Sequence, residues 1–307
     1  MHDGGCDKSL ACFTHEAMDT IFEVRVWGQE LDYARQGAYE AFRLVDRLEG
    51  LLSRFIEGSE VWQINHLAAG EWVRVGEDTL QCLQMADRMY KETAGAFDIT
   101  IGPVSACWGG APGWKRQPDE EELNQAILKT GMELLEINET EYAVGVKTDG
   151  VRIDLGGIGK GYAVDRMVRL LADWEIENAM ILSGASTVYG MGHGHEHKGW
   201  PVRLSERDQR GGVLASLYLH QEALSASGTL ARGEHVIDPR RGEPVSKVLR
   251  AWARAPSAAR ADALSTAFCV MTEEEVKEYC RRHEEIGAMI LVKGENQTEP
   301  IRLGNWG

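Results

Sequence analysis

The clearest alternation along the chain is "MDTIFEVRVW", residues 18–27. Phe22, Val24 and Val26 alternate with Glu23 and Arg25, which predicts a strand with one wet face. The 17 residues before it read as a disordered or extended tail. From residue 30 to 55 the period lengthens. Leu31, Ala34, Ala38, Ala41, Val45, Leu48 and Leu52 recur at helical spacing and predict a long amphipathic helix. Residues 78–94 repeat the pattern, with Leu80, Leu83 and Met89 on one stripe. After a polar, Pro- and Gly-containing stretch, a helix is expected from about Pro118, its acidic first turn suiting the positive end of the helix dipole. Strands follow at 150–155 ("GVRIDL"), at 178–192 ("NAMILSGASTVYGMG", one apolar strand ending in glycines), at 212–220 and at 288–292. Helices are expected over 160–174 and 260–271, with Thr272 as the N-cap of another.

Strands and helices mix without the strict alternation of a doubly wound sheet. The pattern predicts an α+β fold, helices on one face of mainly antiparallel sheets, with residues 18–307 as one domain. Composition adds limits. The 307 residues are 43% hydrophobic, ample for a core, and carry a formal net charge of -15. That charge argues against nucleic acid and against an anionic membrane surface. It leaves room for a small anionic ligand, because a bound cation inverts the local field. No apolar run is long enough to span a membrane. "SLAC" before Phe13 has no apolar segment ahead of it and does not read as a signal peptide. The six cysteines form no C-x-x-C pair and are expected to be reduced, with a cytoplasmic setting, or an exported or membrane-associated one if the true start lies upstream.

Five stretches carry candidate chemistry. In "RIDLGGIGKGYAVD", residues 152–165, a glycine-rich turn leads into a helix and offers free amides and Lys160 to an anion; close helix–strand packing explains the glycines equally. In "ADALSTAF", residues 261–268, Asp262 and Thr266 share a helix face. They form a hard oxygen pair suited to Mg²⁺ with substrate phosphates, or else an exposed Asp and a Thr bonded to its own helix. In "TAGAFDITIGPV", residues 93–104, Phe97 suits stacking on a flat ring and Asp98 suits accepting hydrogen bonds; a helix C-cap at Gly95 followed by a core Phe is the alternative. "HGHEH", residues 193–197, has three His and one Glu for a transition metal, or is a loop. "GEHVIDPRRGEPV", residues 233–245, concentrates His, Asp and Arg in a turn-rich segment.

Without "HGHEH", and together with "MDTIF" (18–22), "LLSRFIEGSEVWQIN" (51–65) and "LSASG" (224–228), these motifs occur in an order that resembles the ApbE family, from about Met18 to the C-terminus. The resemblance implies a FAD:protein FMN transferase. Such an enzyme uses Mg²⁺ to split FAD, places FMN on a Thr or Ser of an acceptor flavoprotein and releases AMP. It implies Mg²⁺ ligands at the Gly157 carbonyl, Asp262 and Thr266, with Ser265 beside them. It implies FAD contacts at Met18, Phe55, Ala96, Phe97, Asp98, Asp154 and Lys160, and His235 as the base that activates the acceptor hydroxyl. Asp238, Pro239 and Gly242 would hold the turn, with Arg240 and Arg241 facing phosphate, acceptor or solvent. Where many members carry Gly-Gly-Asp or Gly-Gly-Glu, this chain has Ser183, Gly184, Ala185 and Ser186, read as part of a buried strand. The alternatives are an Mg²⁺-dependent FAD pyrophosphatase and a non-catalytic FAD-binding protein.

Overall fold

The structure, a computed structural model, describes residues 10–109, 116–195, 198–205, 213–228, 236–293 and 300–306. In chain order its elements are β1 (Leu10–Ala17), β2 (Thr20–Trp27), α1 (Leu31–Leu52), α2 (Glu60–Ile64), β3 (Trp72–Arg74), α3 (Glu77–Glu92), α4 (Gly102–Cys107), α5 (Glu120–Ile127), β4 (Leu135–Asn138), β5 (Ala143–Val146), α6 (Gly159–Asp173), β6 (Ala179–Ser183), β7 (Thr187–Met191), β8 (Trp200–Ser205), β9 (Val213–Leu219), β10 (Glu222–Ser227), β11 (Ile237–Asp238), β12 (Glu243–Pro244), β13 (Val248–Ala255), α7 (Ala258–Val270), α8 (Glu273–Arg282), β14 (Gly287–Val292) and β15 (Ile301–Gly304).

An eight-stranded sheet in the order β1-β2-β6-β7-β10-β13-β14-β15 organises the fold, and every pairing in it is antiparallel. Phe22, Val24 and Val26 of β2 point with Ala223 of β10 into the larger core, built with α1, α3, α6 and α7. Trp252, Met289 and Leu224 point the other way, against the β8–β9 hairpin. The α+β expectation, with helices on one face, therefore holds. The helix α7 is buried nearly all round, unlike the one-sided α1, because α6 and β13 pack on it from different directions.

Two local expectations change and one is sharpened. Of the stretch expected to be a disordered or extended tail, Leu10–Ala17 is the strand β1, which pairs with β2 through a two-residue turn at Met18 (φ 51) and Asp19 (φ 56). Ala11, Phe13 and His15 alternate inward there, but Cys, Thr and His dilute the apolar signal. The supposed single strand at 178–192 is the β6–β7 hairpin, broken at Gly184 (φ 56), so "SGAST" is largely its turn. The expected strand at 150–155 is not one. Arg152 forms a lone parallel bridge with Ile101, while the Asn65 side chain serves as the strand neighbour of Ile153, accepting from its N–H at 2.6 Å and donating to its carbonyl at 2.9 Å.

Candidate active site

A cavity of about 500 Å³ opens where the β6–β7 turn, the loop before α6, the segment after α3 and one face of α7 meet. The loop before α6 is held by its own side chains. Asp154 Oδ1 accepts from the Gly156 amide at 2.9 Å, and Lys160 Nζ donates to the Gly156 carbonyl at 2.9 Å. Arg54 Nε lies 3.3 Å from Asp154 Oδ2. Arg54, Lys160 and Arg250 all line the cavity, which sets three cations in the wall of a strongly acidic chain.

The packing reading of the glycines holds at Gly161, while Gly157 faces the cavity. Gly161 packs so tightly under the start of α7 that a Cβ would collide with the Ala258 carbonyl. Gly157 lines the cavity, and a Cβ there would lie 3.1 Å from Phe97 and 3.3 Å from Thr266 Oγ1. The bare backbone of Gly157 thus sits directly against Thr266, more than a hundred residues away in sequence.

Asp262 on α7 is buried, not exposed. Its Oδ2 accepts from the Gly161 amide at 3.1 Å and its Oδ1 from Ser225 Oγ at 3.2 Å. Thr266 stands one turn later, its hydroxyl 3.1 Å from Ser227 Oγ and 3.4 Å from its own-helix carbonyl at Asp262. Ser265 donates to that same carbonyl at 2.9 Å. Asp262 and Thr266 line the same cavity as Gly157, so a carboxylate, a hydroxyl and a side-chain-free stretch of backbone share one wall. This all-oxygen donor set fits Mg²⁺, which takes one or two carboxylates and completes its shell from phosphates and water.

Ala96, Phe97 and Asp98 also line the cavity. Phe97 is nearly fully buried against Gly157 and acts mainly as wall. Asp98 Oδ1 accepts from the Thr100 amide at 2.7 Å and its hydroxyl at 2.6 Å. Burial nonetheless pushes this carboxyl up to about 6.

Other expected residues stand elsewhere. Met18 sits half-buried in the β1–β2 turn and Phe55 is 80% exposed; neither lines the cavity, but Thr20 and Arg54 beside them do. The Arg54 guanidinium lies 4.4 Å over the Phe55 ring. Arg54, Thr20, Arg250 and the Ala185–Ser186 tip are wall residues to which sequence reasoning assigned no role in the site, although Thr20 lies in "MDTIF", Arg54 in "LLSRF", and Ala185 and Ser186 mark a departure from the family pattern. Arg240 turns away to Asp238 (3.1 Å) and Glu275 (2.8 Å), and Arg241 is exposed. Asp238 holds the turn as expected, accepting from the Arg240 amide at 2.9 Å on its side chain and from Gly242 at 2.8 Å on its carbonyl. His235 lies outside the described residues; Gly228 and Val236 on either side of that segment both line the cavity. In "HGHEH", Glu196 and His197 are also outside them. His195 stands edge-on to Trp27, and among the described residues no three His, Cys, Asp or Glu side chains gather to hold a metal.

The model of the ApbE family matches residues 18–290. The chain is 27% identical over 294 residues to a FAD:protein FMN transferase of Klebsiella pneumoniae (strain 342), covering 91% of this chain and 84% of that protein. It is 26% identical over 317 residues to the FAD:protein FMN transferase of Escherichia coli (strain K12), covering 95% and 90%. The fold matches the flavin transferase ApbE from Vibrio cholerae with a TM-score of 0.86 at 25% identity, covering 96% and 97% of the two chains. It matches the ApbE protein of Thermotoga maritima at 0.82 and 29%, again covering 96% and 97%. The chain with this cavity belongs to the ApbE family.

Proposed function

We propose that the protein is an Mg²⁺-dependent FAD:protein FMN transferase, moving FMN from FAD to a Thr or Ser hydroxyl of an acceptor flavoprotein and releasing AMP. The observation that carries this reading is the convergence of Gly157, Asp262 and Thr266 on one cavity. Gly157 O, Asp262 and Thr266 would hold Mg²⁺, which supplies charge neutralisation at the pyrophosphate when bound. Arg54, Lys160 and Arg250 put cationic groups in the wall for the phosphates, beside the carboxylates of Asp98, Asp154 and Asp262. Asp98 and the Phe97 wall suit the flavin end. His235 takes the acceptor hydroxyl proton; the acceptor oxygen bonds to the FMN phosphorus, the P–O–P bridge breaks, and AMP leaves with the bridging oxygen. A free imidazole titrates near neutrality and suits that step.

The test is incubation with FAD and a peptide-tagged acceptor bearing a flavinylation motif, with and without Mg²⁺, following AMP, free FMN and in-gel flavin fluorescence. AMP with a fluorescent acceptor, lost on chelation, is expected. AMP with free FMN and a dark acceptor would turn the reading to a pyrophosphatase. Bound FAD without AMP would turn it to a binding protein.

A further inference from the structure

Three hydroxyl side chains lie in one row across the sheet. Ser183 of β6 stands opposite Thr187 of β7, and Thr187 stands opposite Ser225 of β10. All three are at most 2% exposed. The row ends on apolar residues, Phe22 on the β2 side and Ala253 on the β13 side. Hydroxyls in such a core are unfavourable unless bonded. Two of the three are bonded into the candidate site. Thr187 Oγ1 lies 2.9 Å from Ser225 Oγ, and Ser225 Oγ lies 3.2 Å from Asp262 Oδ1. The third, Ser183 Oγ, has no partner among the described residues.

Proton bookkeeping gives this chain a direction. An ionised carboxylate only accepts, and a hydroxyl has one proton to give. Ser225 therefore spends its proton on Asp262, and its oxygen accepts the proton of Thr187. A second chain runs from the same face of β10, two residues on. Ser265 gives its proton to the Asp262 carbonyl, so Ser227, 2.8 Å away, gives its own to Ser265. The Thr266 hydroxyl then has the Ser227 oxygen at 3.1 Å or the Asp262 carbonyl at 3.4 Å as its acceptor, and in either case keeps its lone pairs for another partner.

We propose that Thr187 and Ser225 form a one-way hydroxyl relay that positions the Asp262 carboxylate for a divalent cation, with Ser225 as the positioning residue. This rests on the reading of Asp262 as a cation ligand. With the Gly161 amide on Oδ2 and Ser225 on Oδ1, both carboxylate oxygens are held, and the plane of the group is fixed before any cation arrives. Partners of this kind orient a ligand without touching the cation, and their loss typically weakens metal affinity by about 10–100-fold.

The test is Mn²⁺ binding to the full-length protein, read from the EPR signal of free Mn²⁺, first alone and then with ADP present to supply phosphate oxygens. The parent binds Mn²⁺ and Asp262→Asn does not. Ser225→Ala binds about 10–100-fold more weakly, Ser225→Thr returns close to the parent, and Ser183→Ala, which removes a hydroxyl from the same row outside the relay, stays at the parent value. If Ser225→Ala binds like the parent while Asp262→Asn fails, the relay is overturned and the cation site stands. If the parent binds no better than Asp262→Asn under either condition, both fall. Should Ser225→Ala not fold by circular dichroism, the isosteric Thr187→Val decides: weaker Mn²⁺ binding supports the relay, and parent affinity overturns it.

Discussion

Asp165, on α6, accepts the backbone amide of Ala258 at 2.6 Å, and its second oxygen accepts from Ala259 at 2.9 Å. The helix that carries Asp262 and Thr266 thus begins on a carboxylate lent by another helix, beside its own Ser257 cap. Asp165→Ala leaves two helix-start amides without an acceptor and should cost about 2 kcal/mol in chemical denaturation. An unchanged denaturation midpoint would mean that water replaces the carboxylate.

Stability should also depend on pH through Asp165 and Asp98. Burial pushes each carboxyl from the ordinary 3.8 up to about 6. Between those values the folded chain holds protons that the unfolded chain has released, so their contribution falls as pH rises from about 4 and is fully lost above about 6. The difference in unfolding free energy between the parent and Asp98→Asn, measured across pH 4–7, should carry this slope. A flat difference would contradict the shifted carboxyl.

Two glycines of α6 should respond oppositely to Ala. Gly161→Ala drives a Cβ into the Ala258 carbonyl and should cost at least about 1–3 kcal/mol while pushing α7 away from the cavity. Gly159→Ala meets only Leu155 Cβ, at 3.6 Å, and should be neutral or gain about 0.5–1 kcal/mol from the helix. Equal thermal midpoints for the two variants would contradict the tight α6–α7 approach.

Arg54→Ala should weaken FAD binding by about 10-fold or more, the worth of one charged hydrogen bond. Because Arg54 touches Asp154 and the exposed Phe55, Lys at this position should rescue only part of the loss. Fluorescence titration with FAD measures both; full rescue by Lys would show that charge alone matters.

The elements with strong periodicity were legible from the chain. α1, α3 and α6 lie within three residues of the expected 30–55, 78–94 and 160–174, and α8 starts at its Thr272 cap as expected. The gathering of Gly157, Asp262 and Thr266 followed from a family resemblance, since spacing alone favoured Asp262 as an exposed residue. What escaped was decided by side chains acting as backbone. Asn65 completes the hydrogen bonds of Ile153, so an apolar stretch there needs no strand neighbour. Gly184 turns an unbroken apolar run into a hairpin whose tip, Ala185 and Ser186, lines the cavity. Arg54 escaped because its role depends on Asp154, a hundred residues away.

That separation shapes the order of events during synthesis. The cavity wall runs from Thr20 to Thr266, drawn from nearly every part of the chain. A ribosome-bound chain that has already emitted its glycine loop at 156–161 still lacks β10 to shelve Asp262 and α7 to carry it. No early fragment can therefore complete the cavity. Such long-range closure is slow compared with helix formation, so closure of the cavity on a nascent chain would register the arrival of α7 rather than of any earlier element.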